Sequence, residues 1–105
     1  MIKRGVDLRG LSPQMAIAYT IATKCYGQYD CVITSANDSK HGPNSLHYKG
    51  CALDLRTRHL NGQQLQAIYA KLKESLGDQF DVVMEHDHFH IEHDPKSPYI
   101  NPEDR

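Results

Sequence analysis

The sequence predicts an α+β domain in which a small, mainly antiparallel sheet packs against two helices. Two stretches repeat apolar residues at helical spacing, and four short runs, most of them carrying β-branched or aromatic residues, read as strands. Their order along the chain is helix, strand, loop, strand, helix and two strands, which is an α+β pattern and not an alternating βαβ one. At 105 residues with 39% hydrophobic content, residues 1–105 fit one domain around one modest core.

The first helix is read from "LSPQMAIAYTIATKCYGQY". Ser12 suits the N-cap and Pro13 the first helical position, Met15, Ala18, Tyr19 and Ala22 recur on one face, and Gly27 stops the helix. "CVITS", residues 31–35, is short, apolar and β-branched, as a buried strand requires. "ANDSKHGPNS" then breaks the pattern with Asn, Asp, Ser, Gly and Pro, and predicts a loop that is long for so small a domain. "CALDLRT" is a second strand. It precedes "NGQQLQAIYAKLKESLG", where Leu65, Ile68, Tyr69, Leu72 and Leu76 line one helix face and Gly77 ends it. "FDVVME" and "HFHIE" form the last two strands, joined by a polar junction at His86 and Asp87. The tail 94–105 carries three prolines without periodicity and is expected to lie extended along the surface.

Charge and composition narrow the function. The net charge is -1 and the twelve Lys and Arg are scattered, the tightest group being "RTRH" at 56–59, so neither nucleic acid nor a membrane surface is an expected partner. No stretch approaches the roughly 20 apolar residues of a membrane span, and "MIKRGVDLRG" lacks the apolar core of a signal peptide. The expectation is a soluble, uncleaved chain made in the cytoplasm. Cys25, Cys31 and Cys51 form no CxxC pair and are odd in number, which predicts reduced packing residues, with a bridge between two of them left open.

The chemistry concentrates in "EHDHFHIEHD", residues 85–94, which gathers four of the seven histidines with four carboxylates. On a strand, His88 and His90 share a face while Phe89 and Ile91 point into the core. Imidazole and carboxylate are the ligands that zinc accepts apart from thiolate. A lone HxH is more often a polar strand face than a ligand pair, so a partner is needed elsewhere. "SLHYKGCALDLR" offers His47 and Asp54, seven positions apart, with Gly50 between them where the backbone bends at low cost.

Taken together, "S-x-H-x-x-G-x-A-x-D" (Ser45, His47, Gly50, Ala52, Asp54) and the later "D-H-x-H" (Asp87, His88, His90) resemble a family of zinc peptidases. That family comprises D-alanyl-D-alanine carboxypeptidases, D-alanyl-D-alanine dipeptidases and phage L-alanyl-D-glutamate endolysins, and shares its fold with the hedgehog signalling domain. The likeness spans roughly residues 31–94, and the small size is similar to the phage-encoded members. It implies a hedgehog/DD-peptidase-like fold, zinc held by His47, Asp54 and His90 with a fourth position open to water, and peptidoglycan stem peptides as substrate. It further implies a carboxylate base three residues before the last zinc histidine, which here is Asp87, with His88 beside the metal to stabilise the oxyanion or orient water. Asp87 has the wrong parity for a strand continuous with His90, so the chain must turn at His86 and Asp87. The rival register makes Glu85 the base and His88 the ligand.

One position departs from the family pattern. Where relatives carry a carboxylate-gripping arginine in "SxxR", this chain has Asp38, and Lys40, Arg56 or Arg58 stand as substitutes, with Ser45 beside the first ligand. Without that grip an endopeptidase is favoured over an enzyme that removes a terminal D-alanine. The loop from Ala36 to Leu46 is placed to form one wall of the groove. The alternatives are a catalytically silent zinc module and a structural, virion-associated protein. An enzyme of this kind is expected to be monomeric and to reach the cell wall through lysis, a transport route or particle delivery.

Overall fold

Ser12 accepts a hydrogen bond from the Met15 amide at 3.2 Å and so caps the first helix, α1, Pro13–Tyr26. The computed structural model describes residues 1–36 and 51–94. In chain order these form α1, β1 (Ile33–Ser35), β2 (Ala52–Arg56), α2 (Gly62–Leu76), β3 (Phe80–Met84) and β4 (His88–His93), with a 3-10 turn at Gly77–Gln79 before β3. Gly27 and Gly77 end the two helices at φ 62° and 71°, a region where a side chain is strained.

The sheet has the order β1-β2-β4-β3, and every neighbouring pair is antiparallel. The coarse prediction holds: a four-stranded antiparallel sheet with two helices. Met15, Ala18 and Ala22 of α1 and Ile68, Leu72 and Leu76 of α2 meet Leu53, Leu55, Phe89, Ile91 and Val82 in one core. Tyr19, Leu65 and Tyr69, expected on the buried faces, are only partly covered and edge that core. Cys25 and Cys31 are buried thiols in it, and burial pushes the Cys31 thiol up to about 12, so it packs as a hydrophobe. Cys51 is half-buried.

Because both helices cover one face, the other carries the alternate residues of each strand, the usual asymmetry of an antiparallel sheet. Asp54 and Arg56 of β2 lie there with His88, His90 and Glu92 of β4. Residues 1–3 line the edge of β1, with the Ile33 amide donating to Met1 O at 2.9 Å and the Lys3 amide to Ile33 O at 2.8 Å. This brings Lys3 toward the polar face. No helix among the described residues is long and apolar enough to cross a membrane.

Asn61 closes the start of α2 with a reciprocal box: its side chain accepts from the Gln64 amide at 2.8 Å, and Gln64 Oε1 accepts from the Asn61 amide at 3.0 Å. Asn61→Ala is expected to cost about 1 kcal/mol. A thermal melt should therefore shift down by roughly 4–8 °C, and an unchanged midpoint would mean that α2 is held by packing alone.

Candidate metal centre

The β2 and β4 ladder sets Asp54 directly opposite His90 and Arg56 opposite His88. Leu55 and Phe89, opposite each other between those pairs, are both fully buried, which fixes the register and turns their neighbours outward. His88 and His90 therefore share the open face, as their parity requires. His90 Nδ1 donates to Asp54 Oδ1 at 2.9 Å, and His88 Nε2 lies 3.7 Å from Asp54 Oδ2.

His90 is held at both ring nitrogens, since its Nε2 donates to Glu92 Oε1 at 2.7 Å. The hydrogen bond to Asp54 raises the His90 pKa, partial burial opposes the rise, and Glu92 adds to it. Two carboxylates therefore stabilise positive charge at this point, which is the charge that a bound cation brings. The donors suit zinc: around a tetrahedral ion at about 2.0–2.1 Å, ligand atoms sit roughly 3.3 Å apart, close to the observed Asp54 to His90 spacing. A carboxylate on the far nitrogen of a ligand histidine, the place Glu92 takes, is the usual outer support of such a ligand.

The sequence motifs do not mark Glu92. Its parity with His88 and His90 was the available signal, since residues two apart on a strand share a face.

The turn required between His86 and Asp87 is present. β3 and β4 form a hairpin whose ladder closes with the Glu85 amide donating to His88 O at 2.9 Å, leaving His86 and Asp87 at the tip. Thr57 N donates to Asp87 O at 3.1 Å and ties that tip to the end of β2. Asp87 Oδ1 then accepts from His88 Nδ1 at 2.8 Å. That bond holds the Asp87 carboxyl below its ordinary pKa, desolvation opposes it, and the charges of His88, His86 and Arg58 lower it further. Asp87 is accordingly ionised at neutral pH.

Comparisons with protein-family models, characterised proteins and solved structures find no match to this chain.

Exposure grades across the cluster. The side chains of Asp54 and His90 are 15% and 19% accessible, that of His88 is 28% and that of Asp87 is 55%. The cluster thus runs outward from the sheltered Asp54 and His90 through His88 to the open Asp87 carboxylate. Glu85, the rival base, is exposed beyond the end of β3. His47, Lys40 and Ser45 lie outside the described residues, as does Gly50 and all of the predicted groove loop except Ala36, which is buried. His93 stacks obliquely on Phe80 at 5.0 Å between ring centres and faces away from the cluster's chemistry.

A second group of acids, Asp81, Glu92 and Asp94, brings three carboxylates within 4.8 Å of one another. Its all-oxygen donor set is the kind that hard cations prefer.

Proposed function

We propose that this chain is a zinc-dependent peptidase that hydrolyses peptide bonds of bacterial peptidoglycan, with the hedgehog/DD-peptidase-like arrangement that its two motifs resemble. The observation that carries the reading is His90, set opposite Asp54 on the open sheet face and backed by Glu92. His47, Asp54 and His90 would hold the ion. Zinc, when bound, lowers the pKa of a coordinated water to about 7 and polarises a carbonyl.

The chain's own residues supply the proton transfers. Asp87 is ionised, open to substrate and anchored at the hairpin tip, so it accepts the proton from the attacking water and returns it to the leaving amine. His88 donates to Asp87 through Nδ1, which fixes its ring and turns Nε2 toward Asp54. That nitrogen is placed to donate a hydrogen bond to the oxyanion as it forms. The shorter approach to Asp54 belongs to His90 (2.9 Å against 3.7 Å), which supports His90 as ligand and Asp87 as base over the register shifted by two.

A silent zinc module and a virion-associated structural protein share the same ligand pair. The Asp87 to His88 contact favours the enzyme, because a structural ion has no need of an exposed carboxylate in line with it.

Metal analysis of the purified chain, followed by mass spectrometry of digested muropeptides, tests the proposal. The expected result is about one zinc per chain and cleavage within the stem or cross-link. Release of D-alanine alone would make it a carboxypeptidase, a zinc-replete sample that cuts nothing would leave the silent module, and absence of zinc would remove the metal centre. Within an active enzyme, Asp87→Asn should retain zinc and lose about 10²–10⁴ of the rate, while Glu85→Gln should be mild. The reverse ranking, with zinc lost in His88→Ala but kept in His90→Ala, would move the site by two residues.

A further inference from the structure

We infer that the cleft of about 120 Å³ beside the hairpin tip, lined by Lys3, Thr34, Arg56, Arg58 and Asp87, is a carboxylate-binding subsite. Among the described residues, three cations and a hydroxyl there face a single carboxylate. That carboxylate, Asp87, already accepts from His88. Arg56 carries the strongest sign of a missing partner: its Nε is buried and has no hydrogen-bond acceptor among the described residues. A guanidinium stays charged at any physiological pH and presents its donors in a planar fork that matches a carboxylate. An N–H taken out of water without an acceptor is a cost that a bound oxyanion removes.

The backbone explains why the cations converge. Arg56 ends β2 on the polar face, two positions after Asp54 and opposite His88. Its amide donates to Val32 O at 2.9 Å and its carbonyl accepts from the buried Tyr26 hydroxyl at 2.7 Å, so its main chain is fixed from both sides. Pairing of residues 1–3 along β1 brings Lys3 to the same opening, and Arg58 follows on the strand's continuation. The cleft shares Asp87 with the candidate metal centre, so a carboxylate seated in it belongs to the molecule being cut. That identity rests on the peptidase reading; the anion preference does not. Peptidoglycan stems offer two such groups, the α-carboxylate of γ-linked D-glutamate and the terminal carboxylate of D-alanine.

The test is a titration of the full chain, followed by two-dimensional NMR at the Arg56 Nε–H, in EDTA and again with zinc. The probes are N-acetyl-L-alanyl-γ-D-glutamate with its distal end amidated and its α-carboxylate free, the same molecule as the α-amide, and N-acetyl-D-alanine with its amide. A free carboxylate should move the Arg56 resonance and bind about tenfold more tightly than its amide, in the absence of zinc as well as its presence. Whichever acid does so identifies the source. Arg56→Gln should weaken that acid about tenfold, and the exposed pair Lys3→Gln with Arg58→Gln should do so without disturbing the sheet. Equal binding of acid and amide, binding that requires zinc, or full affinity in the Lys3 and Arg58 double variant would overturn the subsite. None of these results bears on muropeptide cleavage, so the subsite and the peptidase fail separately.

Discussion

Phe89→Ala is expected to destabilise the fold by about 3–5 kcal/mol, a large share of the roughly 5–15 kcal/mol that holds a domain together. Phe89, the second residue of β4, is fully buried, stacked on Tyr69 at 5.9 Å and edge-on to Tyr26 at 6.3 Å. Truncation removes the transfer energy of the ring and leaves a cavity between both helices and the sheet, where close-packed neighbours relax only in part. Urea unfolding should show a lower midpoint with little change in slope. Val83→Ala provides the contrast: it lies on β3 opposite His90, 44% exposed, and should stay within about 0.5 kcal/mol. A cost below about 1 kcal/mol at Phe89 would mean that the core closes over the missing ring. Because Phe89 fixes which way its neighbours point, the same variant should also loosen the His88 and His90 face.

Much of this arrangement was legible from local signals. Ser12 with Gly27, and Asn61 with Gly77, bracket the two helices because capping is chemistry between residues a few positions apart. The alternation of His88, Phe89, His90 and Ile91 states its own faces, and the wrong parity of Asp87 demanded the hairpin turn that is found. The illegible parts are cross-strand facts. Asp54 opposing His90 is a pairing over 36 positions, set by register, and nothing in either segment alone specifies it. Glu92 reads as one more surface acid until its partner's ring orientation is known. Lys3 sits in an unremarkable basic stretch, and only the pairing of residues 1–3 with β1 carries it to the cleft. The motif resemblance pairs Asp54 with His90, and the ladder brings them into contact.

Asp54→Ala should abolish zinc retention and, with it, hydrolysis. The expected loss of affinity exceeds the roughly 10- to 100-fold that removal of an outer partner costs, since Asp54 would coordinate the ion directly and also neutralises charge at His90. Glu92→Gln probes that outer role separately: it keeps a hydrogen-bond acceptor at His90 Nε2 without the charge, so a drop within the 10- to 100-fold range is expected. His59→Ala, His86→Ala and His93→Ala should leave zinc bound. Chelation supplies a readout independent of activity. A metal that binds only the folded chain stabilises it by mass action, so EDTA should lower the melting temperature of the wild-type protein and leave that of Asp54→Ala where it stands. If EDTA shifts both proteins equally, the ion sits elsewhere, and the acidic trio of Asp81, Glu92 and Asp94 becomes the place to look. If it shifts neither, the Asp54, His90 and Glu92 cluster is a polar network that ties β2 to β4, and the enzyme reading falls with the metal.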